Sequence, residues 1–177
     1  MPTTAALRSH VLALLDGGGA HPRARDVLRG FPRRHAGERP AGLAHSAWEL
    51  LEHLRIAQHD ILRYGLDPEY RSPEWPQAYW PKSPKPPNAA AWDRSAKAFL
   101  ADLRACQRIA RDRRIDLLAS LPHAKGVSWL QELILVADHN AWHLGQLMQL
   151  RRALETLDRG GGRRAIRERG KRARGEP

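Results

Sequence analysis

The chain has 177 residues, a formal net charge of +11 and a single cysteine, Cys106. That length suffices for one domain with its own core, and a lone cysteine excludes an internal disulfide and suits a reducing cytoplasm. The longest early apolar run, Val11-Leu12-Ala13-Leu14-Leu15, is cut off by Asp16 and three glycines. It is too short for a signal peptide, and no stretch reaches membrane-spanning length, so a soluble cytoplasmic protein with no membrane partner is expected.

The positive charge invites a nucleic-acid reading, but its distribution argues against one. Residues 159–177 hold eight Lys or Arg against Glu168 and Glu176 and carry +6 of the +11. The rest is spread along the chain without a basic stripe or interleaved aromatics of the kind single-strand binders use. The basic segment opens with Gly160-Gly161-Gly162 and is poor in apolar residues. The expectation is a domain over 1–158 followed by a solvated, disordered basic tail over 159–177, with nucleic acid not a partner.

The hydrophobic pattern reads as helical throughout, with no alternation long enough for a strand. A first helix is expected over 4–15, stopped by Gly17-Gly18-Gly19, with a short helical turn over 22–29. A second begins at Ser46, where Ser46-x-x-Glu49 has capping-box spacing, and is expected to end at Gly65. Residues 67–87 contain seven prolines with Tyr70, Trp75, Tyr79 and Trp80, which forbids a regular helix but argues for an ordered strap. Packing is the commoner use of such rings, so they are expected to plug one end of the core rather than roof a pocket. A third helix over 89–113 carries a seam of Trp92, Ala96, Phe99, Leu103, Cys106 and Ala110, which makes Cys106 a core residue. A fourth opens at Ser128-x-x-Gln131 and runs to about residue 157. The expected fold is all-α: a four-helix bundle with a Pro/aromatic-rich ordered loop between the second and third helices.

Within the fourth helix, His139 and His143 lie about 40° apart and Gln146 about 20° from His139, on one face. The opposite side carries Leu130, Ile134, Ala137, Ala141, Leu144 and Met148, and the histidines are framed by Leu135, Val136, Leu147 and Leu150. A helix apolar on two sides is expected to face the interior with one and a second subunit with the other. The pair is not the zincin motif, because Asn140 stands where the general-base Glu would be. A metal would need a third ligand, and on the second helix His53 borders the apolar stripe, with Glu49 and Asp60 close enough on that face to orient imidazoles. Glu49 has an equally good role in the capping box. His45 and His59 project away and read as solvated, whereas His21 and His123 remain candidate pocket lining.

Together, Ser46-Ala47-Trp48-Glu49-Leu50-Leu51-Glu52-His53-Leu54 and Asp138-His139-Asn140-Ala141-Trp142-His143-Leu144-Gly145-Gln146 resemble the DinB family of small four-helix metal-binding proteins, over roughly residues 5–157. The resemblance implies His53, His139 and His143 as ligands of one divalent metal; imidazole ligation makes Zn or Ni the first choice and Fe or Mn the next, and the helical positions of Glu49, Asp60 and Gln146 make them the candidate supporting groups. It also implies a homodimer and, as in some relatives, transfer of a low-molecular-weight thiol to an electrophilic small-molecule substrate. Three neutral imidazoles leave the metal's charge uncompensated, which favours loss of a proton from a bound thiol or water. The alternatives are a non-catalytic, stress-associated metal-binding dimer and a metal-dependent hydrolase.

Overall fold

The computed structural model describes the backbone of residues 2–173 and the side chains of residues 4–156. Five helices and one short hairpin follow in chain order: α1 (Pro2–Asp16), α2 (Ala24–Arg29), α3 (Ala47–Leu66), α4 (Ala91–Arg111), β1 (Ser120–Leu121), β2 (Ala124–Ser128) and α5 (Trp129–Ala173). The chain is mostly helical, as its periodicity predicts. α5 does not end near residue 157 as expected but continues as helical backbone to Ala173, over most of the segment expected as a disordered basic tail, 159–177, whose side chains fall outside those described.

The capping box at the start of α3 is complete: Ser46 Oγ accepts from the Glu49 amide and the Glu49 carboxylate accepts from the Ser46 amide. The end of the same helix differs from expectation. Gly65 does not stop α3, which runs through it to Leu66. Instead Gly65 is buried under the indole of Trp129, where an added Cβ would lie 2.4 Å from a ring carbon. The glycine serves close approach of two elements, not a turn. Gly65→Ala should therefore destabilise by roughly 1–2 kcal/mol despite alanine's better helix propensity, because overpacking outweighs the propensity gain. Urea denaturation checks this, and the penalty should shrink or vanish in a Trp129→Leu background.

Of the predicted seam, α4 buries Trp92, Phe99, Leu103, Cys106 and Ala110, with Ser95 and Ile109 beside them, whereas Ala96 is only partly buried against the core. Cys106 is 1% exposed, and burial pushes its thiol up to about 12, so it is an inert core group. α3 packs on α4 and α5, and α1 packs on the same two helices. Between α4 and α5 the chain forms the antiparallel hairpin β1–β2, where no strand was expected. A two-residue strand is too short to display a period of two.

α3 and α5 run antiparallel, since Gly65 meets Trp129, Gln58 meets Asn140, and His53 meets His139 and His143. The buried side of α5 holds Leu133, Val136, Leu144, Leu147 and Leu150 together with His143 and Asn140. The expectation of two apolar sides needs correction. Ala137 and Leu144 join the histidine-bearing side, whereas Leu135 turns outward with Ile134 and Trp142, which are 45%, 45% and 68% exposed. No helix among the described residues is long and apolar enough to cross a membrane.

Candidate metal centre

Midway along the α3–α5 contact, the rings of His53, His139 and His143 converge with centroid separations of 4.9, 4.6 and 4.6 Å. One ring nitrogen from each lies within 4.8 Å of the others. His53 and His143 are buried and His139 is half-buried. The α5 pair is adjacent because residues four apart share a helix face. His53 reaches them because the capping box and Leu50, Leu51 and Leu54 set the rotation of α3 against the core.

Hydrogen bonds to the outer nitrogens set the tautomers. His53 Nδ1 donates to the Tyr79 carbonyl at 3.0 Å, and His143 Nδ1 donates to Gln146 Oε1 at 2.8 Å. Both rings therefore turn Nε2 lone pairs inward. His53 Nε2 then accepts from His139 Nε2 at 3.1 Å, which leaves His139 Nδ1 as a buried nitrogen without a partner among the described residues. A cation would replace this ring-to-ring bond if His139 carried its proton on Nδ1 instead. The donor set, three inward nitrogens with two outer N–H groups already held, fits a divalent metal of the imidazole-binding kind.

Electrostatics agree with that fit, since imidazoles ligate only when neutral. Burial, followed by the neighbouring His143 and His53, pushes His139 down to about 4. Burial is also the largest cause lowering His53 and His143. The unfolded chain binds protons at these positions near pH 6.5, while the folded one resists them. Stability of the metal-free protein should thus be full above about pH 6.5 and fall as pH drops toward 4. Guanidinium melts at pH 7.5 and pH 5 check this; an unchanged midpoint would show that the rings are not desolvated as described.

The strap between α3 and α4 roofs the site rather than merely plugging the core. Trp80 stacks on His53 at 4.0 Å with 1° between the planes, and also on His45 at 4.2 Å. Tyr79 supplies the carbonyl for His53 and donates its hydroxyl to Asp60 Oδ2 at 2.5 Å. Ser46 Oγ donates to the Pro84 carbonyl at 2.6 Å, fastening the strap farther along. A cleft of about 150 Å³ opens beside the centre, lined by Leu43, His45, Leu50, Gln146 and Leu150.

Of the predicted supporting residues, Gln146 contacts a site histidine. Asp60 reaches the site only through Tyr79, and Glu49 is engaged by the capping box and by Arg39. Asn140 faces inward but is bound to Gln58, whose amide in turn donates to the Phe99 carbonyl. His59 pairs with Asp102 at the surface, and His123 binds the Tyr64 carbonyl. His21 contacts the Pro22 carbonyl, and neither His21 nor His123 touches the histidine triad.

His45 is a correction: it is half-buried against Trp80, not solvated. It precedes the Ser46 N-cap, so the 100°-per-residue arithmetic did not apply to it. Tyr79 and Trp80 were legible as aromatic residues of an ordered strap, but proline-rich sequence carries no period that would aim them at His53.

The arrangement defines a three-histidine candidate metal centre under an aromatic roof. No family model matches the chain, and neither does any curated protein or solved structure compared with it.

Proposed function

We propose that the chain is a DinB-like four-helix bundle, built from α1, α3, α4 and α5, that binds one divalent metal through His53, His139 and His143 and uses it to activate a small thiol toward an electrophilic substrate. The observation that carries this reading is the convergence of three neutral imidazoles, two of which have their outer N–H held, His53 by Tyr79 and His143 by Gln146. Zn or Ni is the first choice of metal and Fe or Mn the next.

When bound, such an ion would supply Lewis acidity that lowers the pKa of a nearby thiol or water. The protein's own residues do the rest. His53 and His143 present Nε2, Trp80 screens one side from water, and the cleft at Leu43, Leu50 and Leu150 offers apolar surface beside Gln146. The exposed Ile134, Leu135 and Trp142 on α5 support a homodimer, since three large apolar side chains on one helix face favour a covering surface. A lone buried cysteine is compatible with a cytoplasmic location.

A non-catalytic metal-binding dimer is the second reading, favoured by the close stacking of Trp80 over His53. Hydrolysis is weaker, because Asn140 is tied to Gln58 and the carboxylates of Glu49 and Asp60 are engaged elsewhere. Metal analysis of the purified chain should find one divalent ion per protomer, and incubation of the loaded protein with physiological thiols and an electrophile should give conjugate. Stoichiometric metal without turnover for any thiol would favour the second reading, and absence of metal binding would remove both.

A further inference from the structure

Asp60 is a costly residue to place where it stands. It is buried, and among the described residues Oδ1 has no hydrogen-bond partner within range and no Lys or Arg is ion-paired with the carboxylate, whose charge also raises the nearby Tyr70 phenol. A buried carboxylate with an unsatisfied oxygen calls for an explanation. Its satisfied oxygen, Oδ2, accepts from the Tyr79 hydroxyl at 2.5 Å. Burial and the adjacent Asp60 push that phenol well above its ordinary value, so it remains a donor at any physiological pH.

Tyr79 holds α3 at two points. Its hydroxyl binds Asp60, and its backbone carbonyl accepts the Nδ1 proton of His53. Asp60 lies seven residues beyond His53, about 20° away on the same face and about 10 Å along the axis. One residue of the strap thus spans the face of α3 that carries the metal-facing histidine. The next residue, Trp80, lies flat on that ring.

The geometry points to Tyr79 as the positioning residue of the centre: the hydroxyl bond to Asp60 anchors the carbonyl that keeps the His53 proton on Nδ1 and its Nε2 directed at His139 and His143. This inference rests on the reading of the triad as a metal centre. Neutral imidazole can carry its proton on either nitrogen. Without the anchor, the strap carbonyl is free to leave His53, and the ring loses the partner that selects the ligating tautomer. The unusual Asp60 is then explained as a fixed acceptor inside the helix packing, placed where water competes least for the tyrosine proton.

The test uses the full chain, zinc chloride as the probe, and the variants Tyr79→Phe and Asp60→Asn, the latter keeping an oxygen acceptor for the phenol. Tyr79→Phe should weaken zinc binding about 10–100-fold, the usual effect of removing a group that orients a ligand. The ¹⁵N resonances of His53 in the metal-free variant should change from a single Nδ1–H tautomer to a mixture. Asp60→Asn should stay within a few-fold of wild type on both readouts.

Tyr79→Phe that keeps wild-type zinc affinity and a single His53 tautomer overturns the inference. So does a variant that only melts earlier with the tautomer unchanged, and so does Asp60→Asn weakening binding as much as Tyr79→Phe, since charge would then be the cause. If Tyr79→Phe does not fold, Asp60→Ala removes the same bond from the α3 side and is judged by the same criteria. Failure of the wild-type chain to bind zinc refutes the metal-centre reading, whereas the tautomer measurement on metal-free protein still decides the role of Tyr79.

Discussion

Replacing His53 by alanine is expected to weaken divalent-metal binding by a factor on the order of 10²–10³, since it removes one of three ligands and also the ring on which Trp80 is stacked. The wild-type chain, with metal at about a hundred times its dissociation constant, should gain roughly 2.7 kcal/mol of stability over its metal-free form. The His53→Ala protein should gain almost nothing at the same concentration. Thermal melts with and without zinc, run beside calorimetric titration, separate this from simple misfolding. A variant that folds and is still stabilised by zinc to the wild-type extent would exclude His53 as a ligand. His139→Ala and His143→Ala should behave alike, because the three rings are nearly equidistant and none is a peripheral member.

The largest single loss of stability at a polar position is expected at Gln58. This side chain is 1% exposed and bridges three helices: its Nε2 donates to the Phe99 carbonyl on α4 at 2.7 Å, and its Oε1 accepts from Asn140 on α5 at 2.8 Å. Asn140 Oδ1 is already buried without a partner among the described residues, so Gln58→Leu would leave the whole amide unsatisfied. A cost of about 2–4 kcal/mol follows from stranding buried polar groups. The double variant Gln58→Leu/Asn140→Leu should recover most of that loss, because apolar groups replace both partners. Guanidinium denaturation of both single variants and the double tests the coupling, and strictly additive losses would show that the two amides are energetically independent. Asn140 adjoins His139, so the network also ties the rotation of α5 to the site.

The three converging histidines could be reached from sequence because each sits on a long periodic helix. His139 and His143 share a face by their spacing, and His53 borders a stripe that had to face the same core. The α4 seam was legible for the same reason, down to Cys106. Where periodicity was absent or interrupted, the reading failed. His45 lies before the N-cap, β1 has two residues, and the strap is rich in proline. Gly65 was misread as a stop because its purpose, room for the Trp129 indole, depends on a residue 64 positions later.

Sequence alone therefore determined the helical class, the capping of α3 and the three imidazoles, since these follow from local spacing and from burial of one helix face. Only the tertiary structure decided what covers and orients those imidazoles. Tyr79, Trp80, Asp60 and Gln58 act through contacts between elements distant in the chain, and the direction of a hydrogen bond or a stacked ring is set by packing, which local sequence does not encode.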